Sequence, residues 1–127
     1  MRNIDSYTHT RGESVYLDDI PEIAGTLNAA VYGSPEAHGI IKQLHLDDAL
    51  AVKGVVKILT NKDIPGKNQI GGIVKDEPLL ADGVVHFNGM PVAIVVAENA
   101  DAAHEAVKKI KIDIEPLPVV TLARVAQ

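Results

Sequence analysis

An α+β fold, rich in short strands and closing on a strand–helix–strand unit, is what this sequence predicts. Three observations carry the prediction. Short apolar runs alternate with Gly, Pro, Asn and Asp, the rhythm of strands and turns. Residues 92–97 are apolar at every position, which suits a central strand covered on both faces. The apolar period then lengthens to that of a helix over 100–110 and shortens to two over 110–115.

The elements follow in order. Residues 15–17 form a short candidate strand, stopped by Asp18, Asp19 and Pro21. Residues 27–32 form a second, ended by the turn-like Gly33-Ser34-Pro35. Residues 39–46 alternate in polarity and read as a strand with one greasier face, and Asp47-Asp48-Ala49-Leu50 as a capped helical turn. Residues 55–59 make another strand, after which Thr60 or Asn61 caps one turn before Pro65. Residues 66–76, with Gly71 and Gly72 adjacent, are loop, and 84–87 a further strand. Asn99 is the expected N-cap of a helix with Asp101 in its first turn and Lys108 and Lys109 in its last, as the helix dipole favours. Its apolar stripe is Ala100, Ala103, Ala106, Val107 and Ile110. In the strand that follows, Ile110, Ile112 and Ile114 point one way and Lys111, Asp113 and Glu115 the other. This strand–helix–strand order predicts a right-handed βαβ unit, preceded by hairpins or meanders. Pro116 and Pro118 end the last strand, and 121–126 is a candidate final helical segment.

The length, 127 residues, suits one domain spanning 1–127, with 1–11 a flexible lead-in. Its 46% apolar content is almost wholly aliphatic, with three Tyr, one Phe and no Trp. A chain with so few stacking platforms and a net charge of −5 is not expected to bind nucleic acid. No cysteine occurs, which rules out thiolate zinc sites, cysteine nucleophiles and iron–sulfur ligation by this chain. The polar opening MRNIDSYTHT has no apolar core of a secretory signal, and the longest apolar run, 91–97, is far too short for a membrane span. A soluble, cytoplasmic protein is the expectation.

Self-contained chemistry is hard to find. His9, His38, His45, His86 and His104 lack the paired spacing of metal ligands, so no metal site is assigned. The pairs Asp18-Asp19, Asp47-Asp48 and Asp76-Glu77 could supply acid–base groups for a hydrolase, but turns and helix caps also favour Asp at two of these places. No G-x-S-x-G elbow, dinucleotide fingerprint or P-loop is present. No catalytic residue is assigned.

Five segments in order carry a resemblance: GESVYLDDIP (12–21), SPEAHGIIKQLHLDDA (34–49), GVVKILTNKDIPGKN (54–68), DEPLLA (76–81) and GMPVAIVVAE (89–98), followed by an Ala-rich helix and KIDIEPLP (111–118). Together they resemble the α/β-hammerhead domain that opens the molybdenum-binding part of the xanthine dehydrogenase and aldehyde oxidase family. DIPGKN followed by DEPLLA is more similar to xanthine dehydrogenases and their aldehyde oxidase relatives than to carbon monoxide dehydrogenases.

The resemblance implies a fragment of a molybdenum hydroxylase subunit, whose enzyme hydroxylates a purine or related heterocycle with oxygen from water. A molybdenum–pterin cofactor, iron–sulfur clusters and FAD are implied for that enzyme, none of them bound by this fragment. The implied partners are the downstream molybdenum-binding domain and the iron–sulfur and FAD domains or subunits. By position in the family, Ile73 and Val74 are implied to line the substrate channel, with pinning of the loop to this domain as the alternative. His38 also matches a family position and is read as structural. Other substrates within the family, or a free-standing interaction module without a cofactor, are the competing functions.

Overall fold

The structure, a computed structural model, describes residues 5–120. Its elements are α1 (Ser6–Thr10), β1 (Asn28–Gly33), β2 (Gly39–His45), α2 (Asp47–Leu50), β3 (Val55–Leu59), β4 (Val84–Val85), β5 (Pro91–Ala97), α3 (Ala100–Lys109) and β6 (Lys111–Pro116). Two 3-10 turns, Leu17–Asp19 and Asn61–Asp63, complete the set. The α+β class holds. The strands build two small sheets, ordered β1-β5-β3 and β4-β2-β6, in which every ladder is antiparallel.

β5 is the centre of the first sheet, with Val95 opposite Ala30 on one side and Ile58 on the other. Pro91 can open it because the first position of a strand can lack a ladder donor. Ala93, Val95 and Ala97 are wholly buried beneath α3, which supplies Ala102, Ala103 and Ala106, with Ile110 at its C-cap. Alanines at these positions let the helix lie close to the sheet, and an aliphatic chain builds its core from that close approach. The other face of β5 is covered mainly at one end. Val92 joins Ala81, Val85 and Met90 in a second cluster, backed by Ile41, Leu44, Ile112 and Ile114, while Ile94 and Val96 stay half-buried. The expected cover on both faces is therefore complete on the helix side only.

The helix is capped as its sequence predicts: the Asn99 side chain accepts from the Ala102 N–H at 2.8 Å. Its buried stripe is rotated from the expected one, since Ala102 is buried and Ala100 exposed. The turn at Thr60 is held by Asp63, whose carboxylate accepts from the Thr60 N–H at 2.9 Å and the Thr60 hydroxyl at 3.0 Å. These bonds, with the Lys57 ammonium, lower the Asp63 pKa to about 2.

Several expectations are corrected. The βαβ unit is not one: both edges of β5 are occupied, so α3 delivers the chain to the other sheet, where β6 pairs antiparallel with β2. The alternation of 110–115 is nonetheless used, because Ile112 lies opposite Leu44 and Ile114 opposite Ile41. Among the described residues no ladder joins sequence neighbours, so the expected hairpins are absent. Residues 15–17 form no strand. The Asp19 carboxylate takes the Tyr16 N–H at 2.9 Å, and the chain turns through Leu17–Asp19 instead. The strand at 84–87 stops after Val85, because the His86 N–H turns to the Met90 sulfur and the Phe87 carbonyl accepts from the Met90 N–H. The turn at 47–50 forms without a side-chain cap. The candidate segment 121–126 lies outside the described residues.

Candidate channel-lining loop

Residues 66–76 leave β3 through the Thr60 turn and contain no regular element, as expected. Polar contacts anchor the loop. The Asn68 amide donates to the Leu80 carbonyl at 2.7 Å and accepts from the Leu80 N–H at 2.9 Å. That pair of bonds imitates a strand ladder and ties the loop to Leu80, itself 2% exposed. Two residues on, the Ile70 N–H bonds to the Glu77 carbonyl at 2.9 Å, narrowing the loop at its neck. Gly71 then passes so near the returning chain that a Cβ there would lie 2.0 Å from the Val74 carbonyl oxygen. Gly72 has open space around it.

Beyond this neck the tip stands in solvent. Ile73 is 100% exposed and Val74 63%. Asn68 and Ile70 hold the loop through hydrogen bonds, while Ile73 and Val74 stand exposed. At the base of the loop, Ile70, Asp76, Glu77, Leu79, His86 and Phe87 help line a hollow of about 370 Å³. Ile70, Leu79 and Phe87 are themselves exposed. Sequence reasoning missed Asn68, Gly71 and Phe87. Asn68 closes the DIPGKN motif and Phe87 is the lone Phe, which were the available signals.

Several of the other candidate groups have structural partners. His38 Nδ1–H donates to the Pro118 carbonyl at 3.0 Å, and its ring stacks on His86 with centroids 6.0 Å apart. His45 Nε2 meets Asp113 at 2.9 Å. Of the acidic pairs, Asp19 caps its own turn and Asp48 accepts from Lys111 at 2.8 Å, which holds its carboxyl below the usual range. Among the described residues no three His, Asp or Glu side chains are grouped to hold a metal ion. No helix there is long and apolar enough to cross a membrane.

Residues 11–118 match the family described as aldehyde oxidase and xanthine dehydrogenase, a/b hammerhead domain. The chain belongs to this family. Its hammerhead is 38% identical to the xanthine dehydrogenase/oxidase of Mus musculus over 120 residues, which is 94% of this chain and 9% of that one. It is 40% identical to the carbon monoxide dehydrogenase large chain of Hydrogenophaga pseudoflava over 115 residues, 87% of this chain and 14% of that one. A crystal structure of a Cu,Mo-CO dehydrogenase superposes with a TM-score of 0.87 at 30% identity, covering 99% of this chain and 16% of the other. The hammerhead thus spans about a tenth to a sixth of these relatives. Identities of 38% and 40% are level, so they do not favour the xanthine dehydrogenase branch that DIPGKN and DEPLLA suggested.

Proposed function

We propose that this hammerhead is the structural and substrate-channel domain of a xanthine dehydrogenase-type molybdenum hydroxylase, with Ile73 and Val74 lining the channel. The observation that carries the reading is the exposed apolar tip, with Ile73 wholly exposed, on a loop whose neck is held by Asn68, Ile70 and Gly71. An isoleucine held out in water by ordered backbone gains nothing within this chain. Burial against a neighbouring domain recovers roughly 1.5–3 kcal/mol for such a side chain.

The residues of this chain do not fit an iron–sulfur cluster. The chain has no cysteine to ligate one and, among the described residues, no grouped metal ligands. The molybdenum–pterin centre, which supplies the two-electron oxidation, the clusters and FAD belong to the downstream molybdenum-binding domain and to other domains or subunits. The contribution of Ile73 and Val74 is shape: an apolar wall that admits a flat heterocycle, excludes water and takes no part in proton transfer. The 40% identity to a carbon monoxide dehydrogenase large chain favours, as a second reading, the same wall serving a different substrate of the family.

The test is Val74→Phe in the complete enzyme with full molybdenum content. A bulkier apolar wall changes discrimination between rival substrates by about 1–3 kcal/mol, so the ratio of kcat/KM for xanthine and a larger aldehyde is expected to shift at least several-fold. An unchanged ratio with unchanged stability removes Val74 from the channel.

A further inference from the structure

The segment 12–27 is built like an interface with its other half missing. No residue in it is buried, and Ser14 alone is half-buried. Val15, Tyr16, Leu17, Ile20 and Ile23 are each more than half exposed. Together they present on the order of 500 Å² of apolar surface, at the scale of the largest patches that monomers leave uncovered. Among the described residues, the hydrogen bonds of 12–27 all close within 8–26, through the Leu17–Asp19 turn, the Ser14–Thr8 and Ser14–His9 contacts, and the Thr26 turn. The segment is ordered by its own turns and contributes nothing to either core cluster.

Its charge says what covers it. Glu13, Asp18, Asp19 and Glu22 lie among the apolar side chains with no Lys or Arg inside the segment; Arg11, just before it, pairs with Glu13 at 3.0 Å, and Asp18, Asp19 and Glu22 keep their negative charge without a cation beside them among the described residues. A second copy of the chain is a poor occupant, because pairing two such arms would bring together six carboxylates that no cation balances. An anionic membrane is repelled for the same reason. We propose that residues 12–27 are a docking arm for an apolar surface flanked by Lys and Arg on the remaining polypeptide of the enzyme. The identity of that occupant rests on the molybdenum hydroxylase reading, in whose relatives this chain accounts for only 9–16% of the length. The apolar side chains supply the burial, and the carboxylates set register and partner choice.

Hydrogen–deuterium exchange compares 12–27 in the complete enzyme with the same residues in the 127-residue chain. The amides are expected to exchange roughly tenfold or more slowly in the complete enzyme. The double variant Asp18→Lys, Glu22→Lys spares the Asp19 cap. It is expected to remove most of that protection in the complete enzyme and to leave the thermal midpoint of the 127-residue chain unchanged. Equal exchange in the two proteins overturns the proposal, as does protection that the charge reversal leaves intact. Dimerisation of the 127-residue chain that Leu17→Ser abolishes also overturns it, in favour of a second copy. Molybdenum content measured on the same enzyme separates the two readings. Molybdenum present with the arm unprotected sinks the arm alone; a protected arm without molybdenum sinks the hydroxylase reading and leaves the arm standing.

Discussion

Gly71 and Gly72 look interchangeable as letters, yet their surroundings differ by one carbonyl. A Cβ at Gly71 would lie 2.0 Å from the Val74 oxygen, whereas one at Gly72 meets nothing within 4 Å. Neither has a positive φ, so the difference is close approach rather than backbone strain. Gly71→Ala is therefore expected to push the tip away from its neck at a cost of about 1–3 kcal/mol, as overpacking usually does. Gly72→Ala should stay within roughly 0.5 kcal/mol of the parent. Limited proteolysis of the loop reads the contrast: faster cleavage for Gly71→Ala, parental cleavage for Gly72→Ala. Identical rates for the two variants would refute the close contact. Asn68 belongs to the same scale. Its role depends on both faces of one amide meeting both polar groups of Leu80, a match that residue type alone does not announce.

At the scale of elements, β5 and α3 carry the domain. Val95 has no exposure, lies between Ala30 and Ile58 in the sheet, and belongs to the cluster that includes the alanines of α3. Val95→Asp places a carboxylate where water cannot reach and no cation waits. The expected penalty is several kcal/mol, comparable with the whole stability of a domain, so the cooperative thermal transition should be lost. Val56→Asp is the matched control, because Val56 sits in the β3 bulge and is 55% exposed. An unchanged midpoint for Val95→Asp would show that β5 is not the centre of the sheet. The start of α3 was also legible, since Asn99 caps it with its side chain, whereas β5 begins at Pro91, one residue ahead of the expected strand.

At the scale of the molecule, the domain has two aliphatic clusters and two apolar features that face outward, the arm at 12–27 and the loop tip at Ile73 and Val74. It also has no cysteine to ligate an iron–sulfur cluster and, among the described residues, no grouping of three His, Asp or Glu side chains. The purified 127-residue chain is expected to bind no molybdenum, iron or flavin and to oxidise no xanthine. Stoichiometric metal by elemental analysis, or purine-dependent dye reduction, would contradict this.

What the sequence determined by itself were the features set by neighbours along the chain. The apolar run of 92–97, the Asn99 cap, the alternation of Ile112 and Ile114 and the turn chemistry at Thr60 are local patterns, and local energies hold them wherever the element lies. The ordered motifs from GESVYLDDIP to KIDIEPLP likewise pointed to the family, because the text of a domain survives without knowledge of its contacts. Only the tertiary structure decided which strands meet. Strand pairing is a choice among distant partners, and once β1 and β3 flank β5 nothing local reveals that β6 must seek β2 in another sheet. The outward direction of Ile73 was undecidable for the same reason: an isoleucine in a loop is written alike whether it turns in to a core or waits for a neighbour, and burial depends on every element around it.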